Sequence, residues 1–166
     1  VKNEVVKIIP DEKVVVIYDH DKKLEYSESY DNLVIATGSS PIKPNLPGVD
    51  GKNIFTLWTV PDTDQLKAAI ENKNPRHAAV IGGGFIGLEM AENLHAAGLS
   101  VSLIEMQNQV MTPLDYEMAQ LLHENMEANQ VDLILEDGVT SFEQDGDKVK
   151  IHLNSHRIVE ADLVVL

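Results

Sequence analysis

The chain has 166 residues, 43% of them hydrophobic and 24% charged, which suits one domain, or one domain plus part of another, and excludes a disordered chain. A formal charge of −14 would repel a phosphate backbone or an anionic membrane, so neither nucleic acid nor membrane is expected as a partner, and no apolar run is long enough to span a bilayer. Cysteine is absent, which excludes disulfides, thiolate metal sites and a redox thiol within these residues.

The first residues read as short antiparallel strands, Val5–Ile9, Val14–Tyr18 and Leu24–Tyr26, separated by Pro10-Asp11-Glu12 and Asp19-His20-Asp21. The continuous apolar run Leu33–Ala36, ended by Thr37-Gly38, predicts a buried strand entering a tight turn. Pro41, Pro44, Pro47 and Gly48 then make a stiff stretch, and a domain boundary is expected there, dividing 1–44 from 45–166. Beyond it helices and strands alternate. Thr59-Val60-Pro61-Asp62 has capping-box spacing and predicts a helix from about Pro61 to Asn72. Ala78–Ile81 is a short buried strand leading into Gly82-Gly83-Gly84-Phe85-Ile86-Gly87, after which Ile86, Met90, Leu94 and Ala97 recur at helical spacing until Gly98. Val101–Ile104 is the next strand. Thr112-Pro113-Leu114-Asp115 is expected to open another helix by the same capping logic, with Met118, Leu121, Leu122 and Met126 as its buried stripe.

A strand at Asp132–Leu135 follows, then a hairpin signalled by Asp145-Gly146 with Val149, Ile151 and Leu153 alternating after it, then the buried run Leu163–Leu166. The class is therefore α/β, a Rossmann-like doubly wound parallel sheet with a small antiparallel excursion, preceded by an antiparallel meander and one buried strand. Val1 is not an initiator Met and the last apolar run has no turn or cap after it, so a piece of a longer protein is expected. No secretion signal is evident at its start, and the cytoplasm is the expected location.

The pattern of Gly82, Gly84 and Gly87 says little alone, because turns and helices use glycine for reasons unrelated to ligands. Its context is informative. Between a buried strand and a helix, Gly82 can make the tight turn, Gly84 can bring backbone close to a pyrophosphate, and Gly87 can let helix and strand approach. The phosphates would sit on the helix's N-terminal N–H groups. Glu105 ends the second strand 18 residues after Gly87, where an acid bonds the adenosine ribose 2′-hydroxyl and repels a 2′-phosphate; Met106 follows it, and no Arg is nearby. The pattern favours NADH over NADPH. Glu89 is either a charge that favours the helix dipole or a carboxylate touching the nicotinamide carboxamide, and Phe85 is either packing or a plate beside the cofactor.

The run Gly82–Glu89, with Ala36-Thr37-Gly38 upstream, resembles the pyridine nucleotide-disulfide oxidoreductases, and the nearest branch is similar to coenzyme A-disulfide reductase, NADH-dependent persulfide reductase and NADH oxidase. The resemblance implies an FAD domain interrupted by an NAD domain, with residues 1–44 ending the first FAD segment and 45–166 forming most of the NAD(H)-binding domain. It implies that Ala36, Thr37 and Gly38 lie against FAD and that Val5 contacts its adenine. Phe85 would shield the flavin, Ile86 would lie where nicotinamide and flavin meet, and Glu89 would hold the carboxamide. The full-length enzyme would pass hydride from NADH to FAD and reduce a disulfide or persulfide such as coenzyme A disulfide, the alternatives being an NADH oxidase or peroxidase or a ferredoxin-type reductase of the same fold. It would be a homodimer through a segment outside this chain. The redox cysteine also lies outside, so no catalytic residue is expected within the chain and the fragment alone would be inactive.

Six scattered histidines give no convincing metal site. Glu136-Asp137 and Asp145-Asp147 read as solvated turns rather than acid–base pairs. The rival readings are a non-catalytic dinucleotide-binding module and an interaction domain that has lost its ligand; the intact glycines and Glu105 count against the second.

Overall fold

In the computed structural model, which describes residues 2–166, the chain falls into one unit ending at Ser39 and another spanning Ser40–Leu166. The first contains the expected meander. Strands β1 (Asn3–Ile9), β2 (Val14–Asp19) and β3 (Leu24–Ser29) pair antiparallel in that order, from Ile9 opposite Val14 to Asp19 opposite Leu24. Asp19 fixes the second turn by accepting the N–H groups of Asp21 and Lys22, each at 2.9 Å. The Lys22 N–H bond holds the Asp19 carboxyl below the usual carboxylate range.

Leu33–Ala36 does not form the buried strand expected of it. No strand among the described residues pairs with this run, and Val34 and Ile35 are 84% and 69% exposed. An apolar run becomes a strand only where a ladder takes up its N–H and C=O groups, and β1–β3 pair among themselves.

The second unit is built on a five-stranded parallel sheet. Its strands are β4 (Ile54–Phe55), β5 (His77–Ile81), β6 (Ser100–Ile104), β7 (Asp132–Ile134) and β11 (Leu163–Val165), in spatial order β4-β11-β5-β6-β7. Helices α1 (Val60–Lys73), α2 (Phe85–Ala96) and α3 (Tyr116–Ala128) cover one face. The antiparallel sheet of β8 (Val139–Asp145), β9 (Lys148–Leu153) and β10 (Ile158–Ala161) covers the other. Strand residues alternate accordingly. Ala78, Val80, Leu103 and Leu163 pack toward the helices, while Ala79, Ile104, Ile134 and Val164 pack toward the antiparallel sheet with Phe142 and Ile151. Lys43 reaches Asp50 at 2.6 Å and Leu46 packs against the second cluster, which ties the proline stretch to this unit. Because β6 lies on one side of β5 and β11 on the other, the order reverses at β5, and ligands of such sheets bind beyond the carboxyl ends of the strands at that reversal.

Local signals set the helix ends unevenly. Thr59 and Asp62 make both halves of the capping box on α1, and Gly98, at φ +91°, ends the turn after α2 by donating to the His95 carbonyl. The α3 start is a correction. Its N-cap is Asp115, without a side-chain bond, rather than Thr112, and the buried residues are Ala119, His123 and Met126. Met118 and Leu121 are 54% and 58% exposed, and Leu122 is half-buried. Residues 112–115 instead belong to a loop anchored on the glycine turn, so the helix begins later; Leu122 and Met126 face inward as expected, while Ala119 and His123 take the places expected of Met118 and Leu121.

His77, at the start of β5, bridges Ser100 Oγ (2.8 Å) and Ser102 Oγ (3.1 Å) on β6, and Ser102 continues to Asp132, which Arg157 holds at 2.8 Å. Burial holds the imidazole below its ordinary value of 6.5, against the opposite pull of Asp162 and Asp132. The folded form thus binds a proton less readily than the unfolded chain. His77's contribution is present above pH 6.5 and is lost as pH falls from there through the folded value. Urea midpoints measured at about pH 7.5 and about pH 5.5 should show a smaller acid loss in His77→Gln than in the wild type. Equal losses would remove His77 as the source.

Candidate functional site

Strand β5 ends at Ile81 and α2 begins at Phe85, so Gly82-Gly83-Gly84 must turn the chain in three residues. Gly82 has φ +102°, open to glycine and strained for other residues, and its N–H donates to the Ile104 carbonyl at 2.8 Å. A Cβ on Gly87 would run into the Gly82 carbonyl, so the first turn of α2 lies directly against the glycine turn. Gly84 is different. It is the N-cap of α2, extended at φ −79° and ψ −172°, and a Cβ there would meet nothing within 4 Å. A glycine N-cap has no side chain to accept the first N–H groups, which leaves the positive end of the helix dipole facing open space. That is the chemistry of an anion site.

The acid on the neighbouring strand points at the same turn. Glu105, just past β6, accepts the Gly83 N–H on Oε2 (2.7 Å) and the Gln107 N–H on Oε1 (2.8 Å). Each carboxylate oxygen keeps a second acceptor position, enough for a sugar hydroxyl. The other side of Gly83 is also held. Its carbonyl accepts the Met111 N–H at 2.8 Å, Val110 packs so closely that a Cβ on Gly83 would lie 2.9 Å from Val110 Cγ1, and the Val110 N–H donates to His123 Nε2 on α3 at 3.1 Å.

The structure therefore gathers Gly82, Gly84, Gly87 and Glu105 around one turn. Phe85, Ile86 and Met106 lie in sequence beside it and are 71%, 50% and 69% exposed, so Phe85 does not pack at the helix start. Glu89 is exposed further along α2 and borders a cavity of about 610 Å³ between α1 and α2, lined mainly by Leu57, Leu66, Ile70 and Met90. None of the glycines borders that cavity. The space over Gly84, beyond the carboxyl end of the central strand β5, is open, and backbone chemistry rather than volume marks it. In the first unit, Val5 lies on β1 and is 53% exposed, and Ala36, Thr37 and Gly38 are exposed, with Gly38 at φ +71°.

The sequence pattern assigns no individual site role to Gly83, Val110, Met111 or His123. The third consecutive glycine and a lone histidine within an apolar helix face were the available signals. Asp137, read as part of a solvated turn, is buried at 6% exposure because it accepts the Ser155 N–H (3.1 Å) and hydroxyl (2.5 Å). No three His, Cys, Asp or Glu side chains among the described residues converge as a metal site, and no helix among them is long and apolar enough to cross a membrane.

Residues 1–166 match the family model described as pyridine nucleotide-disulphide oxidoreductase. The chain belongs to this family. Among solved structures, reduced Bacillus anthracis CoADR-RHD is 48% identical with a TM-score of 0.85, over 99% of this chain and 29% of that one. The water-forming NADH oxidase from Lactobacillus brevis, bound to NADH, is 32% identical with a TM-score of 0.81, over 99% of this chain and 36% of that one. Among curated relatives, nitrite reductase [NAD(P)H] of Bacillus subtilis is 34% identical over 99% of this chain and 20% of its own length. Coenzyme A disulfide reductase of Staphylococcus haemolyticus is 30% identical over 84% of this chain and 31% of its own length. The chain thus spans between a fifth and a third of the length of those two curated relatives.

Proposed function

We propose that the second unit is the NADH-binding portion of a longer FAD-dependent oxidoreductase that reduces a disulfide or persulfide, such as coenzyme A disulfide. The observation that carries the reading is the bare α2 N-terminus. Gly84 leaves open space over unsatisfied N–H groups, and Glu105 on the adjacent strand aims acceptor oxygens at the same turn. Pyrophosphate needs the first and ribose the second. Gly82 and Gly87 shape the turn, Phe85, Ile86 and Glu89 line the nicotinamide end, and Met106 follows the ribose acid. In the first unit, Val5, Ala36, Thr37 and Gly38 contribute to FAD binding, with 1–44 as the end of an FAD segment and 45–166 as the NAD(H) domain.

NADH supplies hydride and FAD accepts it; the protein's share is to position the two and tune their surroundings. With no cysteine in the chain, sulfur chemistry falls to residues beyond it. The preference for NADH rests on Glu105, whose charge disfavours a 2′-phosphate. The engineered NADPH-bound form of the Lactobacillus brevis oxidase carries the converse chemistry, with an aspartate changed to alanine and the adjacent alanine to arginine. The 48% identity to CoADR-RHD favours a sulfur acceptor, and the 32% identity to an NADH oxidase supports oxygen as the second reading. A cytoplasmic homodimer completes the proposal.

The full-length protein should purify yellow with FAD, bind NADH more tightly than NADPH, and oxidise NADH fastest with coenzyme A disulfide or a persulfide rather than oxygen. Absence of NADH binding would sink the reading. Faster turnover with oxygen alone would select the oxidase.

A further inference from the structure

We infer that His123 is a positioning residue for the dinucleotide crevice, fixing the glycine turn from behind through Val110. The inference rests on the NADH reading of that turn. His123 is 6% exposed and sits on the inward face of α3 between Ala119 and Met126. Its Nε2 accepts the N–H of Val110, a residue with no exposed surface in the middle of the loop joining β6 to α3. A buried backbone N–H without an acceptor is costly, and here the ring of a side chain on α3 takes the place of a backbone carbonyl.

The loop has little freedom to adjust. Gln109, Val110 and Met111 are all buried, and Met111 is held at φ +50°, a left-handed conformation that a methionine keeps only when its surroundings impose it. The impositions are specific. The Met111 N–H donates to the Gly83 carbonyl (2.8 Å), and the Leu114 N–H donates to the Met111 carbonyl (2.8 Å). A Cβ on Gly83 would lie only 3.2 Å from Val110 Cα, so loop and turn are in backbone contact. Gly83 stands between the left-handed Gly82 and the N-cap Gly84 and is gripped by Glu105 on its N–H. Movement of Val110 therefore displaces Gly83, and with it the Gly84 backbone and the N–H groups that would face the pyrophosphate. The ring acts through two intervening residues and touches no ligand.

Two variants of the full-length protein separate positioning from packing. His123→Phe fills similar volume without an acceptor, and His123→Gln offers an amide oxygen at a similar reach. His123→Phe should raise the Kd for NADH about tenfold, while His123→Gln should stay within about threefold of wild type. Packing alone predicts the reverse order, since phenylalanine fills the buried site better. A third measurement needs no variant: the wild-type ¹⁵N-histidine spectrum should show His123 with its proton on Nδ1, as an Nε2 acceptor requires. A proton on Nε2, or a His123→Phe protein that binds NADH like wild type, would overturn the inference and leave the NADH site standing. If the wild type bound no NADH, the site and the inference would fall together.

Discussion

Gly84→Val is expected to weaken NADH binding by at least about a hundredfold, roughly 2.8 kcal/mol, in a protein that still folds. Its backbone is extended, a conformation valine adopts readily, and the added Cβ meets nothing within 4 Å. The cost to folding is that of a poor N-cap, about 1 kcal/mol. The side chain would instead occupy the space assigned to pyrophosphate. Gly87→Ala, three residues along the same motif, should do the opposite. Its Cβ collides with the Gly82 carbonyl, a backbone atom fixed by the Gly82 N–H bond to Ile104, so overpacking of about 3 kcal/mol or more falls on the fold itself. Isothermal titration with NADH and urea denaturation on both variants make the comparison. Normal NADH affinity in Gly84→Val would mean that the open space over the turn is not where the cofactor goes.

The contrast between these two glycines bears on how much a sequence can disclose. The strand–glycine–helix–strand–acid order was legible because each part is local: a buried run, a turn, a helical repeat and an acid at a strand end. The Thr59–Asp62 cap and the Asp145-Gly146 hairpin were legible for the same reason, since their bonds join residues within a few positions of one another. Leu33–Ala36 misled because its hydrophobicity describes a pairing that no described strand provides. Thr112 misled because the loop around it answers to Gly83, distant in sequence, and Met111 takes a left-handed turn that delays α3 to Tyr116. Once the start moved, Met118 and Leu121 lay on the exposed side and His123 on the buried one. Nothing in a single sequence separates a histidine that packs from one that accepts a loop N–H.

Glu105→Arg should reverse the preference for NADH over NADPH, and the ratio of the two affinities is the quantity to measure. The carboxylate accepts two backbone N–H groups beside the position proposed for the sugar, so replacing it should disturb the glycine turn and weaken both dinucleotides together. That shared loss cancels in the ratio, because NADH and NADPH present the same pyrophosphate to the same turn. What remains is the interaction with the 2′ substituent. Two unit charges about 5 Å apart interact by roughly 3 kcal/mol at an effective dielectric of about 20, and the partial exposure of Glu105 screens part of this. Glu105→Gln removes the repulsion while keeping the shape and one acceptor oxygen, and should move the ratio toward NADPH by about tenfold; Glu105→Arg turns repulsion into attraction and should move it by about a hundredfold. The ordering Arg beyond Gln beyond wild type follows from charge alone, whatever each variant does to the turn. A ratio that stayed fixed in both, with absolute affinities falling in parallel, would reduce Glu105 to a clamp on Gly83 and Gln107 and leave the choice of nucleotide to another residue.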